Sequence, residues 1–326
     1  MQNHAIAGID ISNLTLDICI LKDGKHQSFI INNQVKDIRK FFGTYKNEQV
    51  LIAMENTGRY NWSLYEALST LQHKVYVISP LHIKKSAGLI RGKNDKIDAL
   101  RIALFIEKHH AGLPQWKPAP VAIEKLKVLL TERSYRMKVK RQLLVQRADH
   151  AKMKRLDLDK PMRKLNDQMI ELILKQVKQI EAAIQELIKA DEQLNKQATL
   201  ICSVPGVGKV LCWTILAKTA GFTLITEPRK MACYSGVVPF EYQSGSSIKG
   251  KSRVSHYADK ALKTILHLAA MSAIRLQNDL GDYYRRKVAQ GKNKMSVINA
   301  VRNKIIHRIF AVIKNQTTYQ SRLLIS

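Results

Sequence analysis

Acidic residues are scarce in this chain. Its 326 residues include 26 Asp and Glu against 54 Lys and Arg, a formal charge of +28. A globular chain so one-sided repels itself until a polyanion neutralises it, which points to DNA or RNA as the partner. The cations run through the whole chain rather than gathering in one basic amphipathic helix, which argues against a membrane surface. Cysteine is also sparse. Cys19, Cys202, Cys212 and Cys233 form no CxxC pair and no Cys/His spacing typical of zinc, so they read as buried free thiols and structural zinc is not expected. No stretch approaches the roughly 20 apolar residues of a membrane span. The opening MQNHAIAGID lacks the basic start and long apolar core of a signal peptide, so a cytoplasmic location is expected. No internal repeat is evident.

What is present is a chain that is 45% hydrophobic, long enough for two or three domains with real cores. The first part, residues 1–112, opens with strand-like AIAGIDI and LTLDICIL, an Asp23-Gly24 turn and HQSFIIN, an antiparallel meander. Helices and strands then alternate: QVKDIRKFFGTY, QVLIAME, YNWSLYEALSTLQ, KVYVISP, and the long helix NDKIDALRIALFIEKHH. Three antiparallel strands followed by this alternation is the element order of an α/β RNase H-like fold. A joint with Pro114, Pro118 and Pro120 ends that helix and marks a domain edge.

Residues 113–196 read as a helical, coiled-coil middle. Ile170, Ile173, Val177, Ile180, Ile184 and Leu187 recur at alternating steps of three and four and continue to Leu194 after a polar step at Asp191. LDLDKP, with Pro161, is expected to turn the chain between two arms. Such a seam serves either an intramolecular hairpin or a dimer. Residues 197–326 form a second globular part, mainly α-helical, with SVPGVGKVLCWTILA at its start and a Gly/Ser/Lys loop, QSGSSIKGKSRVS, within it.

Four of the scarce acids fall where an RNase H-like arrangement would bring them together. Asp10 ends the first strand and Glu55 the fourth, and those strands are neighbours in that fold. Asp95 and Asp98 begin the last helix of the domain, on one face at i and i+3. Two carboxylates about 5 Å apart repel by roughly 3 kcal/mol at an effective dielectric near 20. A divalent cation with a preference for hard oxygen ligands, Mg²⁺ or Mn²⁺, removes that cost and suits phosphodiester chemistry. Arg91, Lys93 and Lys96 would then hold nucleic acid. Each acid also has an ordinary explanation: Asp95 and Asp98 as first-turn complements of the helix dipole, Asp10 as a strand-end turn residue, Glu55 as a solvent-facing one. Asp17, inside the second strand, reads as exposed.

The motifs GIDIS, ENTGRY, RGKNDKIDA, VPGVGKVL and GVVPFEYQSGSSIKGKSRVS occur in the order found in the DEDD (RuvC-like) transposases of insertion sequences. The resemblance is to the Piv/MooV-like, bridge-RNA-guided recombinase family, and it covers about residues 5 to 312. It implies a RuvC-like first domain with metal-binding Asp10, Glu55, Asp95 and Asp98, and a C-terminal transposase domain in which Ser244 is the nucleophile that joins covalently to DNA. It further implies a structured guide RNA, donor and target DNA, and a homo-oligomer in which domains of different subunits meet. Relatives often carry a Gly-Asn pair and Leu-Arg after the serine loop, where this chain reads VSHYADKALK.

Read for its chemistry, a serine hydroxyl needs a base, a metal or charge stabilisation to attack a phosphodiester, and no His/Asp pair adjoins Ser244 in sequence. The bland alternative is a flexible loop in which Lys249, Lys251 and Arg253 contact phosphates. VPGVGK resembles the hairpin of a helix-hairpin-helix, with Gly206, Gly208 and Lys209 near a phosphate, or else a plain helix-initiating turn at Pro205. It lacks the spacing of a Walker A loop. Tyr60 and Trp62 are placed to touch DNA, although the spacing of Trp62 from Glu66 and Leu68 favours packing. His267, within an apolar helix, reads as a satisfied core residue. Three functions compete: a metal-dependent transposase or recombinase with a serine nucleophile, a RuvC-like junction resolvase or nuclease using water, and a packaging protein whose acids are structural.

Overall fold

The computed structural model describes residues 4–86, 94–244 and 248–320, with the backbone alone for Arg59, residues 84–86 and residues 240–253. Contacts divide it into two compact units, Met1–Pro118 and Ala119–Ser326. The boundary falls in the Pro-rich joint.

The first unit is a five-stranded mixed sheet. Its strands are β1 (Ile6–Ile11), β2 (Thr15–Lys22), β3 (Lys25–Asn32), β4 (Leu51–Glu55) and β5 (Lys74–Ile78), in the order β3-β2-β1-β4-β5. β1 to β3 are antiparallel neighbours, while β4 runs parallel to β1 and β5 parallel to β4. This is the order and direction that the RNase H-like expectation requires. At the β2–β3 turn Asp23 and Gly24 both have positive φ, the geometry that matches the twist of a two-residue hairpin.

Period-two alternation sends the side chains of β1 to opposite faces, and both faces are covered. Ala5, Ala7, Ile9 and Ile11 pack with Ile38 and Phe42 of α1 (Val35–Gly43) and Leu64 and Leu68 of α2 (Trp62–Leu68). Ile6, Cys19, Leu21 and Ala53 pack against Ala99, Ile102, Ala103 and Ile106 of α4 (Asp95–His109). A short helix, α3 (Pro80–Ser86), precedes α4 and was not expected from the sequence. Trp62 is 48% exposed, so the packing role expected for it does not hold. Instead Tyr65 stacks on Trp116, ring centroids 4.9 Å apart.

The second unit begins with two long helices, α5 (Val121–His150) and α6 (Asp159–Ala190). Cross-links between them pair rising numbers with falling ones: Arg133 with Glu181, Arg136 with Gln176, Arg147 with Asp167, and His150 with Asn166. The arms therefore form an antiparallel hairpin within one chain. Ile170, Ile173, Val177 and Ile184 of the expected seam are buried. The seam does not run on through one helix, because Asp191 ends α6 and caps α7 (Glu192–Cys202), its carboxylate accepting from the Leu194 N–H at 3.0 Å. Pro161 lies in the first turn of α6, where its missing N–H costs nothing, and the connection is made by residues 151–158.

α8 (Lys209–Thr219), apolar nearly all round, is the buried centre of this unit. Around it lie α9 (Pro228–Tyr234), α10 (Lys260–Ala273), α11 (Asp279–Ala289) and α12 (Lys294–Asn315). Ile123 and Leu126 of α5 and Ile184 and Ile188 of α6 belong to the same core as α8 and α12. The Gly/Ser/Lys stretch expected as a loop is largely an antiparallel ribbon, β6 (Phe240–Ser244) with β7 (Ile248–Arg253). Cys19 and Cys212 are buried free thiols as expected, but Cys202 is exposed and Cys233 half-exposed. Among the described residues no helix is long and apolar enough to cross a membrane.

Candidate functional site

Glycine at position 8 decides how closely α4 approaches the sheet. A Cβ there would lie 2.1 Å from the Ala99 carbonyl oxygen and 2.4 Å from the Ala103 nitrogen. From that contact, two strand residues and four helix residues both advance about 6 Å, so Asp10 on β1 comes level with Asp95 at the start of α4. β1 and β4 pair Ile6 with Leu51 and Gly8 with Ala53, and one more step of this register sets Asp10 beside Glu55. Both strands end at the same edge with their acids on the face that α4 covers.

The electrostatics report this convergence directly. The Asp10 carboxyl is raised to about 6, first by burial and then by Asp95, with Asp98 and Glu55 adding and a backbone hydrogen bond at Ile11 opposing. The other three acids expected from the sequence thus all act on Asp10. Among the described residues, no three of His, Cys, Asp and Glu are close enough to form a ready-made metal-ligand group. Asp98 also accepts from Arg101 at 2.6 Å through Oδ1, which leaves its other oxygen to face a cation. As a donor set, Asp10 with three further carboxylates acting on it suits a hard divalent cation, which would relieve the repulsion that Asp10 bears.

Asp17 corrects the sequence reading. It is 8% exposed and lies directly opposite Asp10 across the β1–β2 pair. Burial raises its carboxyl, Asp95 raises it further and Lys96 opposes them. The signal was available in the sequence: the Ser12–Thr15 turn pairs Ile11 with Leu16, and one step further pairs Asp10 with Asp17. Lys96 is exposed on the first turn of α4, and the cap of that helix is Asn94, whose side chain accepts from the Lys96 N–H at 3.1 Å. Arg91 and Lys93, also expected to hold nucleic acid, lie outside the described residues.

Two asparagines fix the loops that leave the acid-bearing strands. Asn61, fully buried, donates to the Glu55 carbonyl at 2.9 Å and accepts from the N–H and hydroxyl of Thr57 at 2.9 and 2.8 Å. Asn33 donates to the carbonyls of Ser12 and Tyr60 at 2.9 and 3.0 Å, linking the chain after β1 to the chain after β4. Neither residue stood out in the sequence, because a polar side chain that satisfies backbone groups carries no periodic signature.

In the second unit, Val204 to Val207 is a turn closed by a Val207 N–H to Val204 carbonyl bond of 3.0 Å, with Gly206 at φ +83°. Proline followed by a left-handed glycine is the type II pattern. A Cβ on Gly206 would lie 2.6 Å from the Ala269 carbonyl oxygen, so its bareness serves the approach of α10. Gly208 is open to solvent, and the ammonium of Lys209 donates to Gln185 at 3.1 Å. Ser244 is the last residue of β6, paired with Ile248, and Lys249, Lys251 and Arg253 occupy alternate positions of β7. Where the chain reads VSHYADKALK, Asp259 caps α10 through the Leu262 N–H at 2.9 Å. The same carboxylate takes the Lys218 ammonium at 2.8 Å and the Tyr234 hydroxyl at 3.3 Å.

Residues 7–150 match a family profile described as a transposase, and residues 198–285 match one described as the transposase IS116/IS110/IS902 family. The pilin gene-inverting protein of Moraxella bovis is 27% identical over 97% of this chain and 98% of its own length. That of Moraxella lacunata is 28% identical over the same shares. An insertion element IS110 protein of Streptomyces coelicolor is 26% identical over 44% of this chain and 34% of its own length. A solved structure of "T. thermophilus RuvC in complex with Holliday junction substrate" matches 35% of this chain and 99% of its own, at 14% identity and a TM-score of 0.28.

Proposed function

Because the chain belongs to the IS116/IS110/IS902 family of transposases, we propose that it cuts and rejoins DNA at the ends of a mobile or invertible segment, with its four convergent acids as the catalytic centre. The observation that carries this reading is the raised Asp10 carboxyl, pushed up by burial and by three acids that lie far from it in sequence. Folding selects against such repulsion unless a ligand repays it.

In this reading Asp10, Glu55, Asp95 and Asp98 hold Mg²⁺ or Mn²⁺, with Asp17 beside them. Bound there, a divalent cation supplies Lewis-acid stabilisation of charge on phosphodiester oxygens. Ser244 is the attacking hydroxyl: its oxygen displaces a deoxyribose oxygen at phosphorus, leaving a phosphoserine diester and a free DNA hydroxyl that later reverses the step on a new strand. Lys96, Lys249, Lys251 and Arg253, with Arg91 and Lys93, neutralise DNA backbone. Gly208 and Lys209 add a phosphate contact at the start of α8, and Gly206 shapes that turn. A structured guide RNA and self-association belong to the same reading. The guide RNA is supported by the net charge of +28, which suits RNA as well as DNA, and both are supported by the family.

The test is covalent. Protein incubated with end-sequence DNA and Mg²⁺ is run on a denaturing gel, and a DNA-linked protein band is expected from the wild type and from no Ser244→Ala or Asp10→Ala preparation. Free fragments without an adduct would favour water as the nucleophile, as in a junction resolvase. Recombination by Ser244→Ala would remove the serine from the proposal.

A further inference from the structure

Arg302, on α12, is 7% exposed. A guanidinium keeps its charge in proteins, so a buried one calls for an anion. Its partners here are neutral. Nη1 donates to Asn299 Oδ1 at 3.3 Å, Nη2 donates to His267 Nδ1 at 2.7 Å, and the buried Nε has no hydrogen-bond partner. Since a guanidinium only donates, His267 Nδ1 accepts, and the imidazole is the neutral form with its proton on Nε2.

One turn before His267 on α10 stands Lys263. Burial and then Arg302 lower the proton affinity of both Lys263 and His267, and no carboxylate is among the groups acting on either. Neither α10 nor α12 contains an Asp or Glu. The acids nearest in sequence are engaged elsewhere: Asp259 with Lys218, Asp279 with Arg308, and Asp282 with Arg285. Two cations and an imidazole N–H therefore converge among the described residues with no anion between them.

The place is as telling as the charge. Asn299, one turn before Arg302, donates to the Val237 carbonyl at 2.7 Å, three residues before β6 begins. A Cβ on Gly236 would lie 2.9 Å from Val254, the residue after β7 ends, and 3.9 Å from the Lys263 side chain. The cluster sits where the β6–β7 ribbon leaves and rejoins the helices.

We propose that Lys263, His267 and Arg302 form a binding site for a backbone phosphodiester of the DNA strand handled by the β6–β7 ribbon. Lys263 offers its ammonium and His267 its Nε2–H, while the buried Arg302 guanidinium, donating to His267 Nδ1, adds positive charge behind them. Together they match the charge and the several acceptor oxygens of a phosphodiester. The inference rests on the reading that DNA is the substrate, but not on Ser244 being the nucleophile.

The test is fluorescence anisotropy of the full-length protein with an end-sequence DNA duplex across a salt series. Lys263→Gln is expected to weaken binding about tenfold near 0.1 M salt and to flatten the log K against log salt slope by about one. Its melting temperature should not fall below the wild-type value, because burial and Arg302 already disfavour the Lys263 charge. Arg302→Gln should give the same change in slope, and Lys314→Gln, at the far end of α12, should not. The site is overturned if Lys263→Gln keeps the wild-type affinity and slope, or loses no more than Lys314→Gln. A loss seen only with RNA of the same sequence overturns the assignment to DNA. Adduct formation, scored separately on the denaturing gel, reports on Ser244 whichever way the binding result falls.

Discussion

Gly8 of β1 and Ala99 of α4 meet backbone to backbone, so closely that a Cβ on Gly8 would come within 2.1 Å of the Ala99 carbonyl oxygen. That single contact sets the height of α4 over the sheet and brings Asp95 and Asp98 to the strand ends where Asp10 and Glu55 lie. Replacing Gly8 by Ala forces the helix away. The expected cost is about 3 kcal/mol of stability, the upper part of the overpacking range. Because the acids are then held apart, strand cleavage should fall more than the folded fraction does. Urea unfolding and a cleavage assay on the same preparation check both.

Asp10 carries a charge that the fold disfavours. Its carboxyl is raised to about 6, so the folded state binds its proton more tightly than the unfolded chain does. Its contribution to stability is greatest at low pH and is lost as the pH rises from the ordinary carboxylate value through about 6. Asp10→Asn removes the buried charge and with it the repulsion from Asp95, Asp98 and Glu55. In metal-free buffer at pH 7.5 it should raise the melting temperature by about 3–6 °C while abolishing cleavage. A melting temperature equal to or below that of the wild type would show that the four acids do not repel as inferred.

Asn61 makes three hydrogen bonds in full burial, one of them to the Glu55 backbone. Asn61→Leu removes all three bonds, leaving the partly buried Thr57 N–H and Glu55 carbonyl only the 3.1 Å bond between them, and should cost about 2–3 kcal/mol. If the loop matters chiefly by aiming Glu55, weaker Mg²⁺ or Mn²⁺ binding should accompany the loss, measurable by calorimetry on the folded variant.

Asp259 gives the opposite pH signature to Asp10. Burial raises its carboxyl, but the Leu262 N–H, the Lys218 ammonium and the Tyr234 hydroxyl outweigh it and leave it below its ordinary value. Its stabilisation is therefore present above the unfolded carboxylate value and lost as the pH falls through the lowered folded one. Asp259→Asn keeps a capping side chain but loses the charge. The variant should melt lower than the wild type at pH 7, and the gap should close on acidification below pH 4. A gap that persists in acid would show that the charge of Asp259, and with it the Lys218 pair, is not what the variant loses.

Much of the first unit was legible in the sequence. Alternating and continuous apolar runs gave all five strands, and the Asp23-Gly24 pair gave the hairpin turn, because strand burial and left-handed turns leave marks within a few residues. The rarity of acids made Asp10, Glu55, Asp95 and Asp98 conspicuous, and their places at element ends followed from the element order. The reach of one chain position to another did not. Asp17 was taken as exposed because strand periodicity says which residues share a face, not how deeply that face is covered. The ribbon carrying Ser244 was read as a loop because Gly, Ser and Lys have weak strand propensity, and its cross-strand pairing comes from residues on either side.

By itself, then, the amino-acid order determined the basic charge that calls for nucleic acid, the local elements, and which acids stand at their ends, since these depend on composition and near neighbours. Only tertiary structure decided that Asp17 is buried, that helices come close over the bare Gly8 and Gly206, and that Arg302 is buried beside His267 with no carboxylate partner among the described residues. Those are facts of packing between segments tens of residues apart, where the free energy lies in surfaces brought together and leaves no periodic trace along the chain.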